Sequence, residues 1–294
     1  VIRPVLVLGG TGRLGSALQA ECAARRMPCV APAHAALDLD DPGAIPKQLA
    51  AHDAAAVINA AGFTDVDAAE RPEHRASAIR RNAEGPGALA RACARAGIDY
   101  VHVSTDYVFD GASSSPYRED DPVRPIQVYG ASKLEGERAV AQAYPEALIA
   151  RVSTLYGLAR RPAYVDKILA AARARGEGAL DVVVHPVSSP TYAVDVAPAL
   201  LDLLARKASG IVHVVNDGAA SRLELAQEVV TLAGLAGRVA LRARPEAAGA
   251  LARPAYSVLD TAKLQSLLGR RLPPWKDALA RYLAGAGRAA EVRG

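Results

Sequence analysis

Short apolar runs alternate along the chain with longer, alanine-rich stretches. Val5 to Leu8, Cys29-Val30, Ala56 to Asn59, Tyr100 to Val103, Leu148 to Val152 and Ile211 to Val215 have the length and β-rich character of buried strands. Between them, Leu14 to Arg26, Ala88 to Ala96 and a stretch from near Ala131 to just before Pro145 are dominated by strong helix formers. The second of these helices is expected to begin after Gly85-Pro86-Gly87 and to stop at Gly97. Strand and helix in this rhythm predict βαβ units: an α/β fold with a Rossmann-type, doubly wound parallel sheet covered on both faces. After Val152 the spacing loosens into a loop over Leu158 to Pro162, a helix over Tyr164 to Arg175 and another loop over Pro186 to Pro190. The C-terminal half therefore reads as a second, smaller region, with no internal repeat or low-complexity linker marking its edge.

Length and composition narrow the class. A chain of 294 residues accommodates one large or two modest domains with a real core. With 51% hydrophobic and 22% charged residues it is neither disordered nor collagen-like. Lys and Arg number 35 against 31 Asp and Glu, a surplus spread without a basic block, so no nucleic-acid partner is expected and an anionic small molecule suits the charge equally well. Cys22, Cys29 and Cys93 are odd in number and lack metal-ligand spacing, which predicts reduced thiols in the cytoplasm. His52, His74, His102 and His213 also lack ligand spacing, and no metal is expected. No apolar run is long enough to span a membrane, and the first residues lack a signal-peptide pattern. Asp65, Asp67 and Glu70 are accounted for by helix-start electrostatics.

The first strand runs into Gly9-Gly10-Thr11-Gly12-Arg13-Leu14-Gly15 and a helix follows at once. Glycine is needed there for a tight turn, for backbone approach to a pyrophosphate at the helix N-terminus, and for close packing of helix on sheet. Gly9, Gly12, Arg13, Leu14 and Gly15 are thus candidate dinucleotide-binding residues. The second strand ends in Ala31-Pro32-Ala33-His34, without the carboxylate that would hold the ribose hydroxyls of NAD. Arg13 and His34 are candidate partners for a ribose phosphate, which favours NADPH and leaves NADH open.

Tyr129 and Lys133 stand four apart at the start of a helix and so share one face. A phenol is a poor acid-base group at neutral pH, and a nearby cation brings it closer to the working range. Ser104-Thr105-Asp106 follows a buried strand, and the carboxyl ends of parallel strands face the ligand crevice of such a sheet. Thr105 can there hydrogen-bond a substrate oxygen beside Tyr129.

These motifs resemble the extended short-chain dehydrogenases/reductases, and within them the dTDP-4-dehydrorhamnose reductase family. The resemblance is carried by Gly9 to Gly15, Val57 to Thr64 with Val66-Asp67 and Ala69-Glu70, Asn82-Ala83, Ser104 to Gly111, Tyr129 to Glu137, Arg151 with Ser153, Tyr156-Gly157, Pro190-Thr191, and a tail from Arg253 to Asp260 and Leu272 to Trp275. It implies reduction of the C4 keto group of a nucleotide-linked deoxysugar, with Tyr129 as acid, Lys133 binding the cofactor ribose and lowering the Tyr129 pKa, and Thr105 orienting the carbonyl. It further implies Asp38-Leu39 near adenine, Ala60, Ala61 and Gly62 along the cofactor, and Thr64, Val66, Asp106, Tyr107 and Ser153 on the substrate side. The implied division is residues 1–156 with 189–216 as NAD(P)-binding domain and 157–188 with 217–294 as substrate-binding region. The related dehydratases carry an Asp-Glu pair after the threonine, whereas Tyr107 follows Asp106 here, so reduction is preferred over dehydration.

The pattern departs at Thr154, where the family usually has tryptophan, at Pro162-Ala163-Tyr164 in place of Asn-Asn-Phe, and at His185 to Ser188. All three departures fall on the substrate side, so a shifted substrate preference is expected. The alternatives are a nucleotide-binding regulatory subunit and a nucleotide-sugar epimerase. The Ala88 to Ala96 helix and the helix after Tyr129 are candidate elements of a homodimer.

Overall fold

The structure, a computed structural model, describes residues 3–247 and 249–291. Strand β1 (Val5–Leu8) turns into α1 (Arg13–Ala24), and β2 (Cys29–Val30) is followed by a short α2 (Ile45–Ala50) and β3 (Ala56–Asn59). Helices α3 (Val66–Ala69) and α4 (Pro72–Ile79) lead through a π-helical turn, Arg80–Glu84, directly into α5 (Gly85–Ala96). Next come β4 (Asp99–Thr105), α6 (Val128–Ala143) and β5 (Leu148–Val152). The remaining strands are β6 (Leu155–Tyr156), β7 (Gly178–Val183), β8 (Val187–Ser188), β9 (Thr191–Tyr192), β10 (Gly210–His213), β11 (Ala220–Ser221) and β12 (Val239–Arg244). They are interleaved with α7 (Tyr164–Arg175), α8 (Ala193–Ala205) and α9 (Arg222–Leu232), and α10 (Ala262–Leu268) and α11 (Trp275–Glu291) follow.

Six strands form one parallel sheet in the order β10-β5-β4-β3-β1-β2. Residues of β1, β3 and β5 are all buried, which is why these segments read as continuous apolar runs. Alternate side chains enter opposite layers. Val5 and Val7 pack with Leu14, Leu18, Val196 and Leu200 of α1 and α8, whereas Leu6 and Leu8 pack with Leu49, Leu89 and Val140 of α2, α5 and α6. A separate core joins α7, α9 and α11 through Val165, Ile168, Leu225, Val229, Trp275 and Leu279, beside the parallel pair β7–β12. Strand order reverses between β1 and β3, so the ligand crevice of the sheet lies at their carboxyl ends. Among the described residues no helix is long and apolar enough to cross a membrane.

One expectation fails instructively. Gly85-Pro86-Gly87 is not a break before a helix but part of it. The π-helical turn already displaces the regular hydrogen-bond ladder, so the missing N–H of Pro86 costs little. The two glycines serve packing: a Cβ on Gly85 would sit 2.5 Å from Leu39 O, and one on Gly87 2.9 Å from Ala139 Cβ. The latter contact joins α5 to α6 within the chain, the two helices suggested as dimer elements. Two smaller differences are that α6 begins at Val128, three residues earlier than expected, and that β8 lies inside the predicted Pro186 to Pro190 loop.

Candidate active site

The glycine turn leaves β1 at the switch point and touches the loop leaving β3. Gly9 has φ +76°, and a Cβ there would meet Ala60 O at 2.8 Å. Gly15 lies one turn inside α1, where a Cβ would come 2.1 Å from Gly9 O. Gly12 caps α1 with no side-chain cap and no acidic residue in the first turn, so the helix N-terminus keeps unpaired donors for an anion.

Two cavities meet at this junction. One, of about 510 Å³, is bounded by Gly9, Gly12, Ala31 to His34, Leu39, Arg81 and the Ala60-Ala61-Gly62 loop. The other, of about 440 Å³, gathers Gly12, Arg13, Leu14, Thr64, Val66, Thr105, Asp106, Tyr107, Tyr129, Lys133 and Ser153. Gly12, Ala60, Ala61, Gly62 and Thr64 belong to both. Nearly all the candidate residues therefore converge. Gly15 lies behind the wall, and Asp38 lies off it, accepting the Asp40 N–H at 2.8 Å.

Arg13 and His34 are not brought together. Arg13 turns to the second cavity and donates to Arg161 O at 2.6 Å, with its buried Nε unpartnered. The cation beside His34 is Arg81, which the sequence reading did not single out; its Nε donates to Asp40 at 2.6 Å. The acidic residues after the β3 loop divide their work. Asp65 caps α3, Glu70 accepts the Val128 N–H at the start of α6, and Asp67 pairs with Arg253.

Thr105 ends β4, and Tyr129 and Lys133 lie one turn apart on α6, which packs on that strand. Lys133 Nζ donates to Val103 O at 2.6 Å. Burial pushes the Lys133 pKa down to about 8 and pushes Tyr129 up, with the Thr105 hydroxyl opposing the second shift. Contrary to expectation, the Lys133 charge does not lower the Tyr129 pKa here; desolvation of the phenol dominates. Thr105 Oγ donates to Asp106 Oδ1 at 3.1 Å and accepts the Tyr107 N–H at 3.2 Å. Tyr107 meets Tyr129 edge to face at 5.9 Å between centroids.

The far wall comes from α7 and α9, which lie in the segments that the resemblance assigns to the substrate side, but Arg222 itself was not singled out. Arg222, first residue of α9, lies 4.6 Å over the Tyr164 ring, and Tyr164 OH donates back to Arg222 O. Its only sequence signal was the capping box from Ser221 to Glu224, which marks a helix start but not where it points. Of the three departures from the family pattern, Thr154 and Pro162-Ala163-Tyr164 line the cavity. The third reaches it indirectly, since Ser188 Oγ lies 2.7 Å from Thr154 Oγ1.

A glycine turn at the switch point, a threonine at the end of β4 and a Tyr-x-x-x-Lys helix beside it together define a short-chain dehydrogenase/reductase of the extended type. Residues 3–287 match the family described as RmlD substrate binding domain, and the chain belongs to that family. It is 39% identical over 291 residues to the dTDP-4-dehydrorhamnose reductase of Mycobacterium tuberculosis (strain CDC 1551 / Oshkosh), covering 95% of this chain and 92% of that protein. Its fold is similar to that of a dTDP-4-dehydrorhamnose reductase from Bacillus anthracis solved in complex with NADP, with TM-score 0.89, 29% identity and coverage of 97% and 100%. A Clostridium acetobutylicum dTDP-4-dehydrorhamnose reductase superposes with TM-score 0.87 at 30% identity, covering 97% and 99%.

Proposed function

We propose that the protein reduces the C4 keto group of a nucleotide-linked deoxysugar with NADPH, as a dTDP-4-dehydrorhamnose reductase. The observation that carries this reading is the convergence of Thr105, Tyr129 and Lys133 in a cavity that shares the Gly12 and Ala60-Ala61-Gly62 wall with the glycine cradle. A dinucleotide fits that cradle on two grounds: the absence of a Cβ at Gly9 and Gly15 lets the turn close against the Ala60 and Gly9 carbonyls, and the α1 N-terminus is open to phosphate. Gly9, Gly12 and Ala60 to Gly62 would hold the cofactor, with Leu39, His34 and Arg81 available to its adenosine and Lys133 to its nicotinamide ribose. When bound, the nicotinamide supplies the hydride.

The chain's own residues do the rest. Tyr129 gives its phenolic proton to the sugar oxygen as that oxygen gains charge, and its pKa, raised by burial, keeps it protonated for this task. Thr105 orients the carbonyl by turning its hydroxyl hydrogen from Asp106 to the sugar oxygen. Arg222, which has no ion-pair partner among the described residues, and Arg13, with its unpartnered Nε, face the diphosphate. Residues 157–188 and 217–291 supply the substrate-binding part, except that α10 and Leu272 pack into the sheet core beside α8 and β10, and the enzyme works in the cytoplasm.

The test is NADPH oxidation by the purified protein with dTDP-4-dehydrorhamnose and a panel of other nucleotide keto-sugars, beside Tyr129→Phe. Turnover abolished by that substitution supports the reading. Tight NADPH binding with no turnover of any keto-sugar overturns it in favour of a regulatory subunit.

A further inference from the structure

Behind Lys133 runs a buried polar chain that the reaction as proposed does not use. Lys133 Nζ lies 3.4 Å from His102 Nε2, His102 Nδ1 lies 3.3 Å from Asn59 Nδ2, and Asn59 Nδ2 lies 3.3 Å from the Tyr100 hydroxyl. Asn59 and His102 have no exposed surface, so their polar hydrogens need partners within the protein.

The orientation of the Asn59 amide is set from outside. Its Oδ1 accepts the Ala61 N–H at 3.1 Å, so the group facing His102 is the NH₂, which only donates. His102 Nδ1 is therefore the acceptor, and the single ring hydrogen of the neutral imidazole sits on Nε2, aimed at Lys133. An ammonium has no lone pair to receive it, whereas a neutral amine does.

We propose that Asn59 and His102 are a positioning pair for Lys133: Asn59 imposes the Nε2–H tautomer on His102, and that N–H stabilises the neutral amine of Lys133. The lysine is thereby made a proton donor that can let its proton go, not a fixed cation. The other groups around it act as follows. Val103 O accepts a hydrogen from either form. Glu137, one turn further along α6, favours the ammonium but is held by Arg151 of β5 through hydrogen bonds of 2.9 and 2.8 Å. Tyr129 stands one turn back on α6, and Asp106 follows the end of β4. Burial works in the same direction as the histidine, lowering the Lys133 pKa to about 8 and keeping His102 uncharged. Resting on the reductase reading, the consequence is a balanced step after sugar protonation. A Lys133 N–H bond breaks, the proton is passed on to the Tyr129 phenolate, and the amine left behind accepts the hydrogen bond from His102.

Nuclear magnetic resonance of the ligand-free, isotope-labelled enzyme tests this without substrate. Histidine-ring ¹⁵N shifts report the tautomer, and lysine ε-carbon shifts report ionisation between about pH 6 and 9, with His102→Gln and Lys133→Arg assigning the signals. The expected result is a neutral, Nε2-protonated His102 throughout. Asn59→Asp places an acceptor against Nδ1, draws the ring hydrogen there and raises the Lys133 midpoint by about one unit or more. His102→Gln, which keeps an amide donor toward Lys133, leaves the midpoint within about half a unit of its original value. The alkaline limb of kcat/KM moves with the midpoint in each case. An Nδ1–H or doubly protonated ring in the unmodified enzyme overturns the proposal, as does a midpoint that stays put when the tautomer changes. If Asn59→Asp does not fold, the tautomer of the unmodified enzyme decides alone. Absence of keto-sugar turnover leaves the tautomer result standing and counts against the functional reading instead.

Discussion

Asp106 accepts a hydrogen bond from the Ser257 hydroxyl at 2.6 Å, across 151 positions of sequence. Ser153 donates to the same carboxylate oxygen at 2.9 Å and Thr105 to the other at 3.1 Å. Three hydroxyl donors lower the Asp106 pKa, but burial outweighs them and holds it at about 6. The fold thus binds a proton that the unfolded chain, with the ordinary value of 3.8, has already released. The stability tied to this group is full below that lower value and is lost as pH rises through about 6. Denaturant titrations from about pH 4 to 7 are expected to show the native protein losing roughly 3 kcal/mol relative to Asp106→Asn over that interval. A constant difference between the two proteins would contradict the assignment.

Gly15→Ala tests the cradle. Its methyl group would collide with the Gly9 carbonyl, which is backbone and cannot rotate away. We expect the turn to open, at a cost of about 1–3 kcal/mol in stability and at least about tenfold in NADPH affinity, read by fluorescence titration. Unchanged affinity would mean that the turn does not hold the cofactor.

Arg222→Ala removes a cation stacked on Tyr164 at the cleft wall. Loss of a charge-assisted contact to a diphosphate corresponds to about 1.5–3 kcal/mol, so KM for the nucleotide sugar should rise about 10- to 150-fold with kcat little altered. Arg222→Lys should recover only part of this, because an ammonium neither stacks nor forks. A fall in kcat with constant KM would place Arg222 in the chemical step instead.

Glu137→Gln addresses the pair under the catalytic helix. Glu137 and Arg151 are both essentially inaccessible to solvent. Neutralising one partner leaves the Arg151 guanidinium buried over Phe109 without its counter-ion. Chemical denaturation should report a loss of about 3–5 kcal/mol.

What could be read in advance follows the range of the interactions. Val5–Leu8, Ala56–Asn59 and Leu148–Val152 were legible as strands because burial on both faces makes them uniformly apolar. Tyr129 and Lys133 were legible because one helical turn joins them, and Gly9 to Gly15 because the turn is local. Gly85-Pro86-Gly87 misled because its glycines answer to Leu39 and Ala139, residues distant in sequence. Arg222, Arg81 and Ser257 reach the site from remote segments, and no spacing between them and Tyr129 encodes the approach. Lys133 misled in the other direction: its distance along the helix was right, but the desolvation that governs Tyr129 depends on everything packed around it.

The strip formed by Gly12, Ala60, Ala61, Gly62 and Thr64 borders both cavities. A molecule seated on one side therefore rests on part of the wall met by a molecule on the other. Reciprocity holds for the two chambers: whatever factor the nucleotide cofactor contributes to affinity for the sugar, the sugar returns to the cofactor.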